Sequence, residues 1–242
     1  MNESREPNSR LIEIKNLEVS YTTGSYVKKA VNDVSFDIFK GDLTVIMGSS
    51  GCGKTSLLNA IGGMLTPSAG SIIYRNTDIA AMNRSQLSRY RRNSVGFIFQ
   101  HYNLIPNLTA KENVDTAIAI VKNPIPALDS LEMVGLREKA GKYPGQMSGG
   151  EQQRVCIARA ISKNCELILC DEPTGALDTE NAMQIIRILD FLAHKQGTAV
   201  VLITHNPAFS GIAEHYIEMS NGKIIKNLYN DNPASIDSIV LK

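Results

Sequence analysis

The octapeptide "GSSGCGKT" (48–55) stands between an apolar run, "DLTVIM", and a stretch of helical pattern. Its spacing is G-x-x-x-x-G-K-T, in which the glycines let the backbone wrap closely enough for successive N–H groups to point at phosphate oxygens. The positive end of the following helix adds to that field. Lys54 supplies a point charge to the outer phosphates, and Thr55 offers a hydroxyl to magnesium. Gly48, Ser49, Ser50, Gly51, Cys52, Gly53, Lys54 and Thr55 therefore form the candidate nucleotide cradle. Cys52 is read as a small residue whose backbone matters. A helix N-terminus and a neighbouring lysine also make its thiol a candidate for alkylation that nucleotide would block.

Three other apolar runs end in residues suited to the same chemistry. "VGFIF" ends at Gln100, "ELILC" at Asp171-Glu172, and "TAVVLI" at Thr204-His205. In a parallel sheet, ligands collect beyond the carboxyl ends of the strands, so all four endings point to one site. Phosphoryl transfer to water needs charge neutralisation by a metal, an oriented water, and donors around the terminal phosphate. Asp171 suits the magnesium sphere, together with Thr55 and Gln100. Glu172 is the candidate to orient or activate the attacking water, and Gln100 can touch both metal and water. His205 can donate to the terminal phosphate or hold Glu172 and its water. Two adjacent carboxylates at a strand end repel unless something cationic is near.

A second anion-type feature is "MSGGEQQR" (147–154). Ser148 and Glu151 fit a capping box, S-x-x-E, which needs no ligand. Capping and anion binding are compatible: Ser148 can start the helix while the amides of Gly149 and Gly150 stay available.

The elements that must position these residues follow from periodicity. The four apolar runs are short, bounded, and separated by helical stretches, which is the pattern of buried parallel strands in an α/β sheet. Helices are expected at 53–62, 110–120, 148–163 and 179–195. "LIEIKNLEVSY" and "AVNDVSFDI" read as strands, with a bulge or bend near Asn16 where the alternation slips and a turn at Gly41. "MSNGKII" reads as a hairpin turning at Asn221-Gly222. Between Gln100 and Ser148 helical patterning is interrupted by Pro106, Pro124, Pro126 and Pro144, which suggests an inserted helical subdomain. The expected division is a loose tail over 1–10, a domain over 11–230, and a second tail over 231–242. The domain's core comprises 11–100 and 163–230, with the helical subdomain at about 101–162.

Composition sets the outer bounds. The chain has 242 residues, 43% hydrophobic and 20% charged, as in ordinary globular proteins. Twenty-five basic residues against 24 acidic give +1, which provides no strong field for nucleic acid. No apolar run approaches the roughly 20 residues that span a bilayer, and "MNESREPNSR" lacks the apolar stretch of a signal peptide. A cytosolic chain that can dock on a membrane protein is expected. The cysteines at 52, 156, 165 and 170 form no C-x-x-C and suggest neither a zinc site nor a disulfide framework. The basic cluster Arg84, Arg89, Arg91 and Arg92 is read as a solvated helix face rather than a docking patch.

The octapeptide, Gln100, "MSGGEQQR", "LILCDEPTGALD" and "ITHN" occur in the order and context found in ABC-transporter ATPases. The chain resembles that family over roughly 11–227. The resemblance implies a P-loop NTPase (RecA-like) core with a mostly parallel sheet, an N-terminal antiparallel β subdomain and the inserted helical subdomain. It implies ATP and Mg2+ as ligands, with ATP hydrolysed. It also implies that Ser148, Gly149, Gly150, Glu151 and Asp178 serve a nucleotide shared between two copies, and that Tyr21 stacks on adenine. Met147 and Glu151 replace the more usual Leu and Gln, leaving the serine and glycines intact. "QHYNLIPNLTAKENV" looks like the branch containing macrolide exporters, lipoprotein-release ATPases and peptide-resistance transporters. Partners would then be a second ATPase subunit and a separate FtsX-like permease, placing the protein peripherally on the cytoplasmic face of the membrane. The region after Gln100 would meet the permease. A soluble ABC ATPase acting on DNA or ribosomes is the alternative; neutral charge, a single cassette and the lack of a long coiled-coil insertion weigh against it. A P-loop kinase or GTPase would leave the signature helix unexplained, and N-K-x-D is missing from the sequence.

Overall fold

The computed structural model describes residues 10–24 and 26–239. Of the expected amino-terminal tail only Arg10 is among them, and it already pairs in the first strand; 1–9 and 240–242 lie outside the described residues. Two sheets organise the chain. The first is antiparallel: β1 (Arg10–Thr23), β2 (Tyr26–Phe39), β4 (Ala69–Tyr74) and β5 (Thr77–Asp78), in the order β2-β1-β4-β5. The second contains β3 (Leu43–Gly48), β6 (Val95–Phe99), β7 (Leu167–Asp171), β8 (Ala199–Ile203), β9 (His215–Ser220) and β10 (Lys223–Tyr229), in the order β10-β9-β3-β8-β7-β6. Its pairings are parallel from β9 to β6, and β10 returns antiparallel on β9.

The unbroken apolar runs have a direct cause. Ile168, Cys170, Val200 and Leu202 face one core, while Leu167, Leu169, Ala199, Val201 and Ile203 face the other. Strands buried on both faces need apolar side chains at both phases of the pleat. One core is shared with α3 (Ala110–Ile118), α4 (Ala127–Met133), α5 (Gly149–Ile161) and α6 (Thr179–His194); the other lies under the antiparallel sheet and α1 (Lys54–Ile61). The helix α2 (Arg84–Ser94) leads into β6.

The expected helices at 53–62, 110–120, 148–163 and 179–195 appear as α1, α3, α5 and α6, each trimmed by one to three residues in all. Asn16 marks the slip in β1: its φ is 47° and the register with β2 shifts between Ile14 and Leu17. Its amide bonds Asp33 Oδ1 at 2.9 Å, so the bulge is stitched rather than loose. The hairpin turns at Asn221-Gly222, both at positive φ, the two-residue turn whose twist suits antiparallel strands. Two features carry no clear apolar period. In α2 only Tyr90 is buried, and Arg91 donates to the Gly63 carbonyl at 2.6 Å while Arg84, Arg89 and Arg92 are exposed. Among the described residues after 231 a single turn forms, at Ile236–Ser238, and Ile236 and Ile239 pack on the helical-side core where a loose tail was expected.

Candidate functional site

The loop after β3 closes onto α1 through Gly53, the N-cap residue. Its φ is 111°, and a β-carbon there would run into the Ala30 carbonyl, so only glycine fits between loop and β2. Lys54 is 5% exposed and folds back, donating from Nζ to the carbonyls of Gly48 at 2.8 Å and Ser49 at 3.0 Å. Its ammonium is thereby held at the mouth of the loop's own curve. Cys52 is buried, with its Sγ 4.0 Å from Lys54 Nζ. A cleft of ≈ 230 Å³ opens beside the loop, lined by Tyr21, Lys28, Ser50, Thr55, Ser56 and Glu172 among others. Tyr21 is 45% exposed, and its hydroxyl lies 3.1 Å from Ser56 Oγ, so its ring stands at the open side of the cleft.

The strand ends converge as the parallel order demands. Thr55 Oγ1 donates to Asp171 Oδ1 at 3.3 Å, joining the start of α1 to the end of β7. Burial raises the pKa of Asp171, as does neighbouring Glu172, while Thr55 and Lys54 oppose the rise. Glu172 has a φ of 49°, in the left-handed region that non-glycine residues seldom enter, and its N–H bonds the Ile203 carbonyl at 3.0 Å. Its carboxylate meets His205, with Nε2 to Oε1 at 2.6 Å. Gln100 leaves β6 beside Asp171, since Phe99 is the register partner of Asp171. Its Nε2 would lie 3.2 Å from a β-carbon at Gly175, on the Glu172 side of the site. The structure thus gathers Lys54, Thr55, Asp171, Glu172, Gln100 and His205 at one end of the sheet. The hydroxyl and carboxylate oxygens of Thr55 and Asp171 are the hard donors that magnesium accepts.

The second anion-type feature lies apart from that cleft. Ser148 caps α5, accepting from Glu151 N–H at 3.3 Å while Glu151 Oε2 accepts from Ser148 N–H at 3.0 Å. A β-carbon at Gly149 would meet the Tyr102 hydroxyl at 2.7 Å, and one at Gly150 would strike Asn181. Asp178 caps α6 and receives both Asn181 N–H and Nδ2, each at 2.8 Å, which holds its pKa down. Among the described residues, none of Ser148 to Glu151 lines the cleft around the loop.

Sequence reading missed what holds the Gln100 loop. Gln153 Nε2 donates to the Phe99 carbonyl at 3.3 Å, Cys156 Sγ to that of Tyr102 at 2.7 Å, and Arg159 to those of Asn103 and Tyr102 at 2.7 and 3.1 Å. These side chains recur every third residue along α5, but their acceptors are backbone carbonyls, which leave no trace in residue types. A second cleft of ≈ 380 Å³, lined by residues such as Gln100, Tyr102, Leu104, Pro106 and Gln152, lies at this loop.

Comparison with known proteins decides the family. Residues 31–175 match the family described as ABC transporter. The chain belongs to the ABC transporter family. A Mycoplasma pneumoniae protein described as a putative ABC transporter ATP-binding protein is 42% identical over 234 residues, covering 95% of this chain and 50% of that protein. The macrolide export ATP-binding/permease protein MacB of Escherichia coli K12 is 36% identical, covering 95% of this chain and 35% of that one. The chain thus spans half or less of the length of these curated relatives. Among solved structures, the dimeric ATP-binding cassette MJ0796, in a post-hydrolysis state with ADP and phosphate, superposes with a TM-score of 0.84. It is 34% identical, over 90% of this chain and 98% of that one. The fold is therefore that of an ABC ATPase cassette: a P-loop α/β core with an N-terminal antiparallel sheet. Among the described residues no helix is long and apolar enough to cross a membrane.

Proposed function

We propose that this chain is the ATP-hydrolysing subunit of an ABC transporter, working as an ATP-dependent homodimer on the cytoplasmic face of the membrane. It drives a separate FtsX-like permease that exports peptide, drug or lipid-type substrates, or transmits force. The observation that carries the reading is the convergence of Thr55 on Asp171 and of His205 on Glu172 behind a glycine loop. The similarity to a cassette captured as a dimer with ADP and phosphate supports it, as does the relation to proteins named for macrolide export.

The terminal phosphoryl group of ATP passes to water, giving ADP and phosphate. Backbone amides of the Gly48–Gly53 loop and Lys54 hold the phosphates. Thr55, Asp171 and Gln100 would hold Mg2+, which neutralises charge on the phosphate oxygens when bound. Glu172 orients the attacking water and accepts its proton, and His205 fixes the Glu172 carboxylate. Tyr21 offers its ring to the base. Ser148, Gly149, Gly150 and Glu151, with Asp178 on the next helix, face the partner copy's nucleotide, because the chain does not fold them onto its own cleft. The cleft beside Gln100 and Tyr102 is the surface for the permease, and a nearly neutral chain gives nucleic acid no purchase.

The decisive experiment replaces Ser148 by Arg. ATP binding to the monomer should be kept, while hydrolysis and ATP-dependent dimerisation are lost. Weakened monomer binding would show that this stretch serves its own cradle. Co-purification with ribosomes or DNA, and not with a permease, would overturn the transport reading.

A further inference from the structure

Glu151 sits in the first turn of α5, next to the amides offered to the partner's nucleotide. An uncompensated carboxylate there would repel a phosphate and cancel the field of the helix end. The structure occupies both of its oxygens. Oε2 accepts the Ser148 N–H at 3.0 Å, and Oε1 is bonded to Lys139 Nζ. Lys139 is delivered by a hydrogen-bonded turn, its N–H on the Leu136 carbonyl at 2.9 Å and its own carbonyl accepting from Lys142 N–H at 3.0 Å. Its side chain is 48% exposed against 16% for Glu151, so the ammonium covers the carboxylate from the solvent side. Arg154, the other cation that acts on Glu151, is turned to Asn181 Oδ1 at 3.3 Å and to Gln184. The Lys139 ammonium accordingly leads the causes that hold the Glu151 carboxyl below its usual range, against burial and with help from the Ser148 N–H.

We propose that Lys139 is a positioning residue for the shared nucleotide site: its pairing with Glu151 cancels the carboxylate's charge, so that the Ser148–Gly150 end of α5 accepts a terminal phosphate. This rests on the paired-cassette reading and deepens it. The pair makes a glutamate tolerable where an uncharged side chain would need no partner.

The test is a double-mutant cycle on the full chain, following ATP hydrolysis against ATP concentration at low and high salt. Lys139→Ala should lower kcat/KM about tenfold, the size of an uncompensated charge at a helix end. The deficit should shrink as salt screens the exposed carboxylate. Glu151→Gln keeps the cap without the charge, so at low salt Lys139→Ala/Glu151→Gln should hydrolyse ATP about threefold or more faster than Lys139→Ala alone. A silent Lys139→Ala overturns the proposal, as does a double variant no faster than Lys139→Ala, which would mark a structural role only. Ser148→Arg separates the two levels. If it still hydrolyses ATP, the paired reading itself fails; if it is inactive while Lys139→Ala is normal, only the role of Lys139 fails.

Discussion

Glu166, just before β7, receives three donors from the antiparallel sheet and its edge. Lys40 Nζ and Arg75 bond Oε1, the former at 2.7 Å, and the Tyr74 hydroxyl bonds Oε2 at 2.7 Å. Burial alone would raise its pKa, but these donors override it and bring the carboxyl down to about 2 from an ordinary 4.5. At about 1.4 kcal/mol per pH unit that difference corresponds to ~3 kcal/mol. With 29% of the side chain exposed, solvent screening reduces it to ~1.5 kcal/mol. The folded pKa is depressed, so the stabilisation is complete above the unfolded value near 4.5 and is lost as pH falls through about 2. Glu166→Gln should therefore unfold ~3–6 °C below the parent at pH 7, on a scale of about 2–4 °C per kcal/mol for a chain of this length. Urea denaturation at pH 7 and pH 3 reads the linkage, and the gap between variant and parent should close by more than half at the lower pH. An equal gap at both pH values would refute the charge-pairing account in favour of simple packing; no gap at pH 7 would refute both.

Two further outcomes concern the site. Glu172→Gln should lower turnover by about 10²–10⁴-fold while leaving ATP binding intact, and it should trap an ATP-bound dimer on size exclusion; a variant that turns over normally would remove Glu172 from the mechanism. Alkylation should select Cys52, and nucleotide should protect it: burial pushes the Cys156 thiol up to about 12 and that of Cys165 to about 11, and raises Cys170 as well. Since Cys52 is itself only 5% exposed, modification should be slow, and peptide mapping that finds another cysteine modified first would refute the assignment.

What was legible in the sequence was local. The loop, the four strands and the cap at Ser148 depend on neighbours in the chain, and their residue types announce them. Long-range partners were silent. Glu166 is 126 residues from Lys40 and 92 from Tyr74, and a glutamate preceding "LILC" looks like any solvated strand entry. β4 escaped notice because its first residues are small and exposed, and its place is set by pairing with β1. In α2 a single buried tyrosine anchors an otherwise polar helix, which leaves no period to read. The carboxyl-terminal turn shows the converse. Two isoleucines in a polar segment gave no element signal, yet both find the core, and Arg187 pairs with Asp237 at 3.3 Å between them.

The adjacent carboxylates Asp171 and Glu172 show where the two levels meet. Their residue types and place at a strand end argue for a cation nearby, and the sequence goes no further than that. The structure separates them by backbone conformation. Asp171 is the last residue of β7 and keeps strand geometry, so its carboxylate faces Thr55 and the glycine loop. At Glu172 the chain enters the left-handed region, which costs about 1–2 kcal/mol for a side-chain-bearing residue. That turn is held by the bond from its N–H to Ile203 and swings the carboxylate to His205, off the next strand. In a continued strand Glu172 would point to the sheet face opposite Asp171; the turn instead sets its carboxylate against His205, still close enough to Asp171 to help raise that group's pKa. With the turn, Asp171 meets Thr55 and Glu172 meets His205, which are the separate surroundings that the proposed metal and water roles require. Under the proposed mechanism, the strained φ at Glu172 is what brings its carboxylate to His205 while Asp171 stays with Thr55, so that neighbours of like charge would take different parts in one reaction.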